Sequence, residues 1–220
     1  KEEVFSTTFP LDNDQGEAGV LPFLRSLFSD YAVAVLNDTA CCAYAEKIYT
    51  GIREKDYAFI QFSRGIGASL FIQDKLLGQA CASYTQFGHF SISPEGPPCP
   101  CGNRGCLEVV LSEATLRNRL LEKGTTSSLL SRDAVRYEDL GRASLYTDTA
   151  AVLVIKDLAG ELALALSNLI CLVHPRLIVL GGKSVSLGPV FLEEIRRCLG
   201  ETGFSRMTGS VKLRYSQLDS

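Results

Sequence analysis

The chain has 220 residues, 46% of them hydrophobic, which is enough to bury a substantial core and excludes a disordered chain or a miniature scaffold that depends on disulfides. A formal net charge of −3 with no run of Lys and Arg excludes an electrostatic footprint for DNA or an anionic membrane within these residues. The longest apolar stretch, residues 162–173, is broken by Ser167 and Asn168 and is too short to span a bilayer, and Lys1-Glu2-Glu3 is no signal-peptide start, so a cytoplasmic chain is expected.

Residues 1–19 are polar and turn-rich. Helical spacing follows over residues 20–28, then a short apolar strand over 31–36 that Asn37-Asp38 ends, then an Ala-rich helix over 39–49 closed by Gly51. A meander comes next: a strand over 57–62, a turn at Arg64-Gly65, a strand over 68–73, a turn at Asp74-Lys75, and Leu76-Leu77. Ser112 opens a helix that runs to Lys123 and stops at Gly124, and residues 149–173 make a long helix that His174-Pro175 terminates, with His174 read as a helix-end residue bonding free carbonyls. Residues 177–180 form a fully apolar strand, Gly181-Gly182 follow it, residues 189–199 form an amphipathic helix, and 211–215 a last strand. Strands alternating with helices predict an α/β layer fold.

Eight cysteines need placing. Cys41, Cys42, Cys81, Cys171 and Cys198 lie in apolar patterns and read as small hydrophobes. Cys99, Cys101 and Cys106 instead crowd one Gly/Pro-rich loop, and with His89 they give the pattern H-x9-C-x-C-x4-C, which offers three thiolates and an imidazole to a closed tetrahedral zinc site. Gly102 and Gly105 allow so tight a loop, and Pro97, Pro98 and Pro100 stiffen its entry. A loop disulfide or free thiols are the alternatives; reduced cytosolic thiols and one of only two histidines standing where a fourth ligand is needed favour zinc.

The run Gly88-His89, then CPCGNRGCLE from Cys99 to Glu108, then Ser112, resembles the signature of the ROK family of sugar kinases and sugar-responsive repressors. Further segments resemble it in order and spacing: Asn37-Asp38 with Glu46, the hairpin Gly65-Ile66-Gly67-Ala68, Gly78, and His174 to Gly182. The resemblance implies an actin-like, ribonuclease H-like fold of two lobes with a sugar in the cleft between them: residues 1–46 the remainder of a first lobe incomplete in this chain, residues 47–220 the larger second lobe with a zinc-binding loop over 89–106. Carried over by position, Asn37, Asp38, Gln86, His89 and Glu108 line the sugar, His89 binding zinc through one ring nitrogen and facing the sugar with the other. In a family kinase Asp38 would be the catalytic base, with ATP and Mg²⁺ as cofactors and Gly65, Gly67, Gly181 and Gly182 beside the nucleotide.

Two departures favour a sensor over an enzyme. The hairpin's usual Gly-Thr-Gly is Ser63-Arg64-Gly65, a bulky cation where a small residue lets backbone approach phosphate, although Arg64 could still pair with a phosphate. The family's DxGGT phosphate loop has no counterpart in these residues, which fits equally a fragment that begins late in the first lobe and a parent protein without the loop. The family's Ala-Gly-Glu before Gly-His is Tyr84-Thr85-Gln86, a neutral amide in place of a charged acceptor. The expected function is therefore the sugar-sensing effector domain of a transcriptional regulator, with an ATP-dependent hexose or N-acetylhexosamine kinase as the alternative. Expected partners are a small-molecule sugar, a second copy of the chain in a homodimer, and DNA only through a segment outside this chain. Plainer readings stand beside these: Asp38 could cap the helix after it, and Glu108 could be a solvated charge. Gly65-Ile66-Gly67 lacks the third glycine of a dinucleotide fingerprint, and Gly182-Lys183-Ser184 lacks the first glycine of a P-loop.

Overall fold

The computed structural model describes residues 20–33, 36–78, 85–124, 127–146, 148–202 and 204–218. A helix, α1 (Val20–Leu27), precedes a second, α2 (Asp38–Thr50), which Gly51 closes in the left-handed region at φ 68°. Three strands follow, β1 (Tyr57–Phe62), β2 (Ile66–Ile72) and β3 (Lys75–Leu76), and then the one-turn helix α3 (Leu107–Val110) and α4 (Leu116–Glu122). The chain continues through α5 (Tyr137–Leu145), α6 (Thr149–Val173), β4 (Leu177–Gly182), α7 (Gly188–Gly200), the short α8 (Ser205–Thr208) and β5 (Lys212–Tyr215).

The strands form one sheet in the order β3-β2-β1-β4-β5, with β2 antiparallel to β1, and β4 parallel to both β1 and β5. Both faces are covered. Ala58, Ile60 and Phe62 of β1 point into a core that includes Leu158, Leu162 and Phe191, whereas Tyr57 and Phe59 point to the opposite face, where Ala40 and Ala43 of α2 close over them. That double burial is why β1 and β4 read as nearly unbroken apolar runs. α6 is so apolar because it lies under the sheet with most of its circumference enclosed. No helix among the described residues is long and apolar enough to cross a membrane.

Several expectations shift. Tyr31, Ala32, Val33 and Leu36 adopt no strand, and Tyr31 is 75% exposed; Ala34 and Val35 lie outside the described residues. The first meander turn is at Ser63-Arg64-Gly65, and the second falls one residue early, on Gln73 and Asp74, both at positive φ. The helix expected from Ser112 begins as a 3-10 turn, because the Ser112 hydroxyl accepts the Ala114 N–H at 3.2 Å and closes a tighter turn before α4. Cys41 and Cys171 are exposed rather than packed, Cys42 and Cys198 are half-buried, and Cys81 lies outside the described residues. His174 ends α6 through its backbone: at φ 43° its N–H bonds the Ile170 carbonyl at 2.8 Å, while its Nε2 has no partner.

Candidate functional site

The loop after the meander folds by short backbone bonds. Cys99 N–H reaches Asn103 O at 2.8 Å, Gly102 N–H reaches Cys99 O at 2.9 Å, and Gly105 N–H reaches Pro97 O at 2.8 Å. Gly105, at φ +60°, lies so close to Ser93 that a Cβ would sit 1.6 Å from that carbonyl oxygen, so only glycine fits. The fold brings the His89 ring and the Cys99, Cys101 and Cys106 sulfurs within 4.8 Å of one another. Cys99 Sγ lies 3.6 Å from His89 Nδ1, and Cys101 Sγ 3.7 Å from Cys106 Sγ. A tetrahedron with metal–sulfur bonds of about 2.3 Å and a metal–nitrogen bond of about 2.05 Å has S···S edges of about 3.8 Å and S···N edges of about 3.6 Å. The donor set therefore fits a tetrahedral ion, and a sulfur separation of 3.7 Å is far from a disulfide. Burial, with the neighbouring thiols, pushes the Cys106 thiol up to about 12, while the Asn103 backbone N–H and Cys99 lower Cys101.

Cys106 ends the loop and starts α3, so Glu108 is fixed one residue into that helix. Glu108 Oε2 accepts the Ile66 N–H at 3.2 Å. The bond from Ser63 N–H to Gly65 O makes Phe62 and Ile66 a non-hydrogen-bonded pair, so the Ile66 N–H points away from β1 and Glu108 meets it there. Gly65 makes this possible, since a Cβ on it would lie 2.0 Å from Glu108 Oε2. On the other flank Gly67 admits Thr39, whose Oγ1 would be 2.4 Å from a Cβ there, and Thr39 is the second residue of α2. Gly88 packs under Ile66 O and lets the 3-10 turn Phe87–His89 close against the hairpin. Thus the hairpin of β1 and β2 gathers α2, the His89 turn and α3 at one end of the sheet.

At that end Asn37 is the cap of α2, its Oδ1 accepting the Ala40 N–H at 3.3 Å. Asp38 accepts from Thr39 through Oδ1 alone, the N–H at 2.7 Å and the hydroxyl at 3.4 Å, and its side chain stays exposed. The capping role is shared between the two side chains. Gln86 is exposed beside His89, whose N–H its carbonyl accepts at 2.9 Å; Tyr84 lies outside the described residues. Gly181 and Gly182 finish β4, and the space above them holds the Gln61 side chain, whose Oε1 would be 2.9 Å from a Cβ on Gly181. Next to them Lys183 Nζ bonds Glu113 Oε2 at 2.7 Å across a cavity of about 80 Å³ that Arg64 and Glu108 also line.

Glu46, at the far end of α2, is fully buried and does not reach this site. Its carboxylate accepts Arg214 Nη1 at 2.6 Å, Ser216 Oγ at 2.6 Å and the Gln217 N–H at 3.2 Å. Burial raises this carboxyl, but those hydrogen bonds outweigh it and hold it below the ordinary glutamate value. Sequence reading did not find Arg119, which bonds the Val110 carbonyl at the end of α3, nor Tyr137, whose hydroxyl donates to Leu111 O. No local pattern marks either, because their partners are set by the packing of α3, α4 and α5.

A family model described as the ROK family matches residues 21–218. The chain belongs to the ROK family. A xylose repressor of Bacillus subtilis (strain 168) is 26% identical over 187 residues, covering 84% of this chain and 47% of the repressor. A glucokinase of Halalkalibacterium halodurans (strain ATCC BAA-125 / DSM 18197 / FERM 7344 / JCM 9153 / C-125) is 28% identical over 221 residues, covering 96% of this chain and 63% of that enzyme. The crystal structure of a ROK family transcriptional regulator, a homolog of the E. coli MLC protein, superposes with a TM-score of 0.79 at 28% identity, over 90% of this chain and 51% of that one. This chain spans about half the length of the curated regulators it matches. Its five-stranded mixed sheet is that of the actin-like, ribonuclease H-like fold of ROK sugar kinases and regulators.

Proposed function

We propose that this ROK chain is the sugar-sensing effector domain of a transcriptional regulator, binding a hexose or N-acetylhexosamine through Asn37, Asp38, Gln86, His89 and Glu108. The observation that carries the reading is the set of polar groups that the hairpin gathers, together with the cation at its tip. Among the described residues Glu108 bonds through Oε2 and Asp38 through Oδ1, and His89 turns Nδ1 to the cysteines, so the second oxygens and Nε2 are the groups proposed to meet sugar hydroxyls. At the tip the exposed Arg64, with the Lys183–Glu113 pair, borders the cavity that Glu108 also lines, a bulky cation where a kinase hairpin lets backbone approach phosphate. Zinc in the His89, Cys99, Cys101 and Cys106 cluster would be structural, holding the loop from which Glu108 and His89 project. In this reading DNA is contacted by chain outside these residues, and a second copy covers the exposed Leu121, Leu153 and Leu164 of α4 and α6 in a homodimer.

A kinase remains the second reading, favoured by the free oxygen of Asp38 at the start of α2. There Asp38 would take the proton of the attacking sugar hydroxyl, and ATP with Mg²⁺ would supply the phosphoryl group. Calorimetric titration of the full protein with D-glucose, N-acetyl-D-glucosamine and D-xylose, beside a coupled ADP-release assay, separates the two. Binding without turnover is expected, with Asp38→Asn weakening binding and leaving the metal in place. Sugar-dependent turnover of about 1 s⁻¹ or more that Asp38→Asn abolishes would establish the kinase instead.

A further inference from the structure

We infer that Arg119 is a positioning residue for the ligand site, fixing how α3 presents Glu108 to the hairpin and tying that placement to α6. The inference rests on the reading of Glu108 as a hydroxyl-binding group. α3 is a single turn of four residues, too short to hold itself, and the Val110 carbonyl at its end finds its partners outside the helix, in Arg119 and, at 3.4 Å, the Thr115 hydroxyl. Its start is held by Cys106 and the cluster. Its end is held by Arg119, whose Nη2 donates to Val110 O at 2.9 Å and to both oxygens of Glu161 at 3.0 and 2.9 Å, while Nε donates to Thr115 Oγ1 at 3.2 Å. A planar guanidinium can serve a carbonyl, a hydroxyl and a carboxylate at once, which a single ammonium cannot do with fixed geometry.

The clamp is also sheltered: the Arg119 side chain is 15% exposed, and Glu161 stands midway along the 25-residue α6, the longest helix of the core. A displacement of α3 would carry Glu108 away from the Ile66 N–H, and with it the oxygen offered to a ligand. One turn along the same pair of helices, Lys123 bonds Asp157 without touching any carbonyl of α3. That pair is a built-in control for a merely structural role of the contact between α4 and α6.

The test uses the full protein and the Arg119→Met and Lys123→Met variants. Hydrogen exchange at the Ile66 amide reports where Glu108 sits whether or not sugar is bound, elemental analysis reports the metal, and calorimetry with D-glucose, N-acetyl-D-glucosamine and D-xylose reports affinity. Arg119→Met is expected to speed exchange at Ile66 about tenfold and to raise the Kd of any sugar that the unaltered protein binds by a similar factor, roughly one logarithmic unit of affinity. Metal content should stay unchanged, and Lys123→Met should alter neither reading. Should Arg119→Met fail to fold, Arg119→Lys is expected to fold and to show the same changes in smaller measure. Ile66 exchange within twofold of the unaltered protein, or an equal change in Lys123→Met, overturns the inference. Binding of none of the three sugars by the unaltered protein overturns the sugar reading alone, because Ile66 exchange still decides what Arg119 does.

Discussion

Replacing Cys101 by Ser tests the metal site most directly, because Cys101 is exposed while Cys99 and Cys106 are buried. The substitution removes one corner of the tetrahedron with little loss of packing, so its effect reports the ion. Zinc held at a free concentration about a thousandfold above its Kd contributes about 4 kcal/mol to folding by mass action. Domains of 150–250 residues lose about 2–4 °C of Tm per kcal/mol, so for this 220-residue chain loss of the ion corresponds to a fall of about 8–16 °C. Protein purified without added metal should carry one zinc per chain by elemental analysis. Cys101→Ser should lose it and show that fall in calorimetry, and a chelator should bring the unaltered protein to the same Tm. Cys198→Ser, a half-buried position on α7, should keep both zinc and Tm. Well under one zinc per chain in the unaltered protein, or equal behaviour of the two variants, would refute the reasoning.

Gly65→Ala should fold, since Gly65 has no positive φ, but its Cβ would displace the Glu108 carboxylate, so sugar affinity in calorimetry should fall about tenfold with zinc retained. Gly105→Ala should instead lose zinc, because its Cβ would meet backbone at positive φ. Glu46→Gln should cost about 3 kcal/mol in urea unfolding at pH 7, the low end for breaking a buried pair, since the Arg214 side chain is 27% exposed. The Glu46 carboxyl sits lower folded than unfolded, so its contribution is whole above about pH 4.3 and is lost as the pH falls through the folded value. The difference between Glu46→Gln and the unaltered protein should therefore shrink below about pH 4, and a difference that stays constant would mean that the pair does not govern acid stability.

How much of this was legible in the sequence depended on how local each cause is. β1 was readable to the residue, because a strand buried on both faces is an apolar run bounded by polar turns, and α6 because Pro175 stands just past its end. The cysteine cluster was readable because its three thiols fall in one short loop, residues 99–106, with His89 ten positions before it. At the described residues of the expected strand, 31–33 and 36, none forms, because apolar composition alone supplies no pairing partner. α5 went unread: it is nine residues long and contains Gly141, which is there because Ser186 O would be 1.8 Å from any Cβ. Cys41 and Cys171 were misjudged because they fall on the outward sides of helices whose other faces are buried.

The site itself was only half legible, for the same reason. Asn37, Asp38, His89 and Glu108 could be named by resemblance, but what joins them is a set of close approaches between segments far apart in the chain. Glu108 reaches Ile66 and Arg119 reaches Glu161, each across 42 positions, and Thr39 reaches Gly67 from another helix. Those approaches give the hairpin glycines a purpose apart from phosphate. Gly65 and Gly67 lack side chains where Glu108 and Thr39 must come in, so a chain that handles no nucleotide would still need them to assemble its ligand site. Arg64, just before them, is exposed at the turn and lines the same cavity as Glu108. Because Glu108 and Thr39 already account for both glycines, Arg64 rather than either glycine is the residue of the hairpin that bears on whether phosphate is handled.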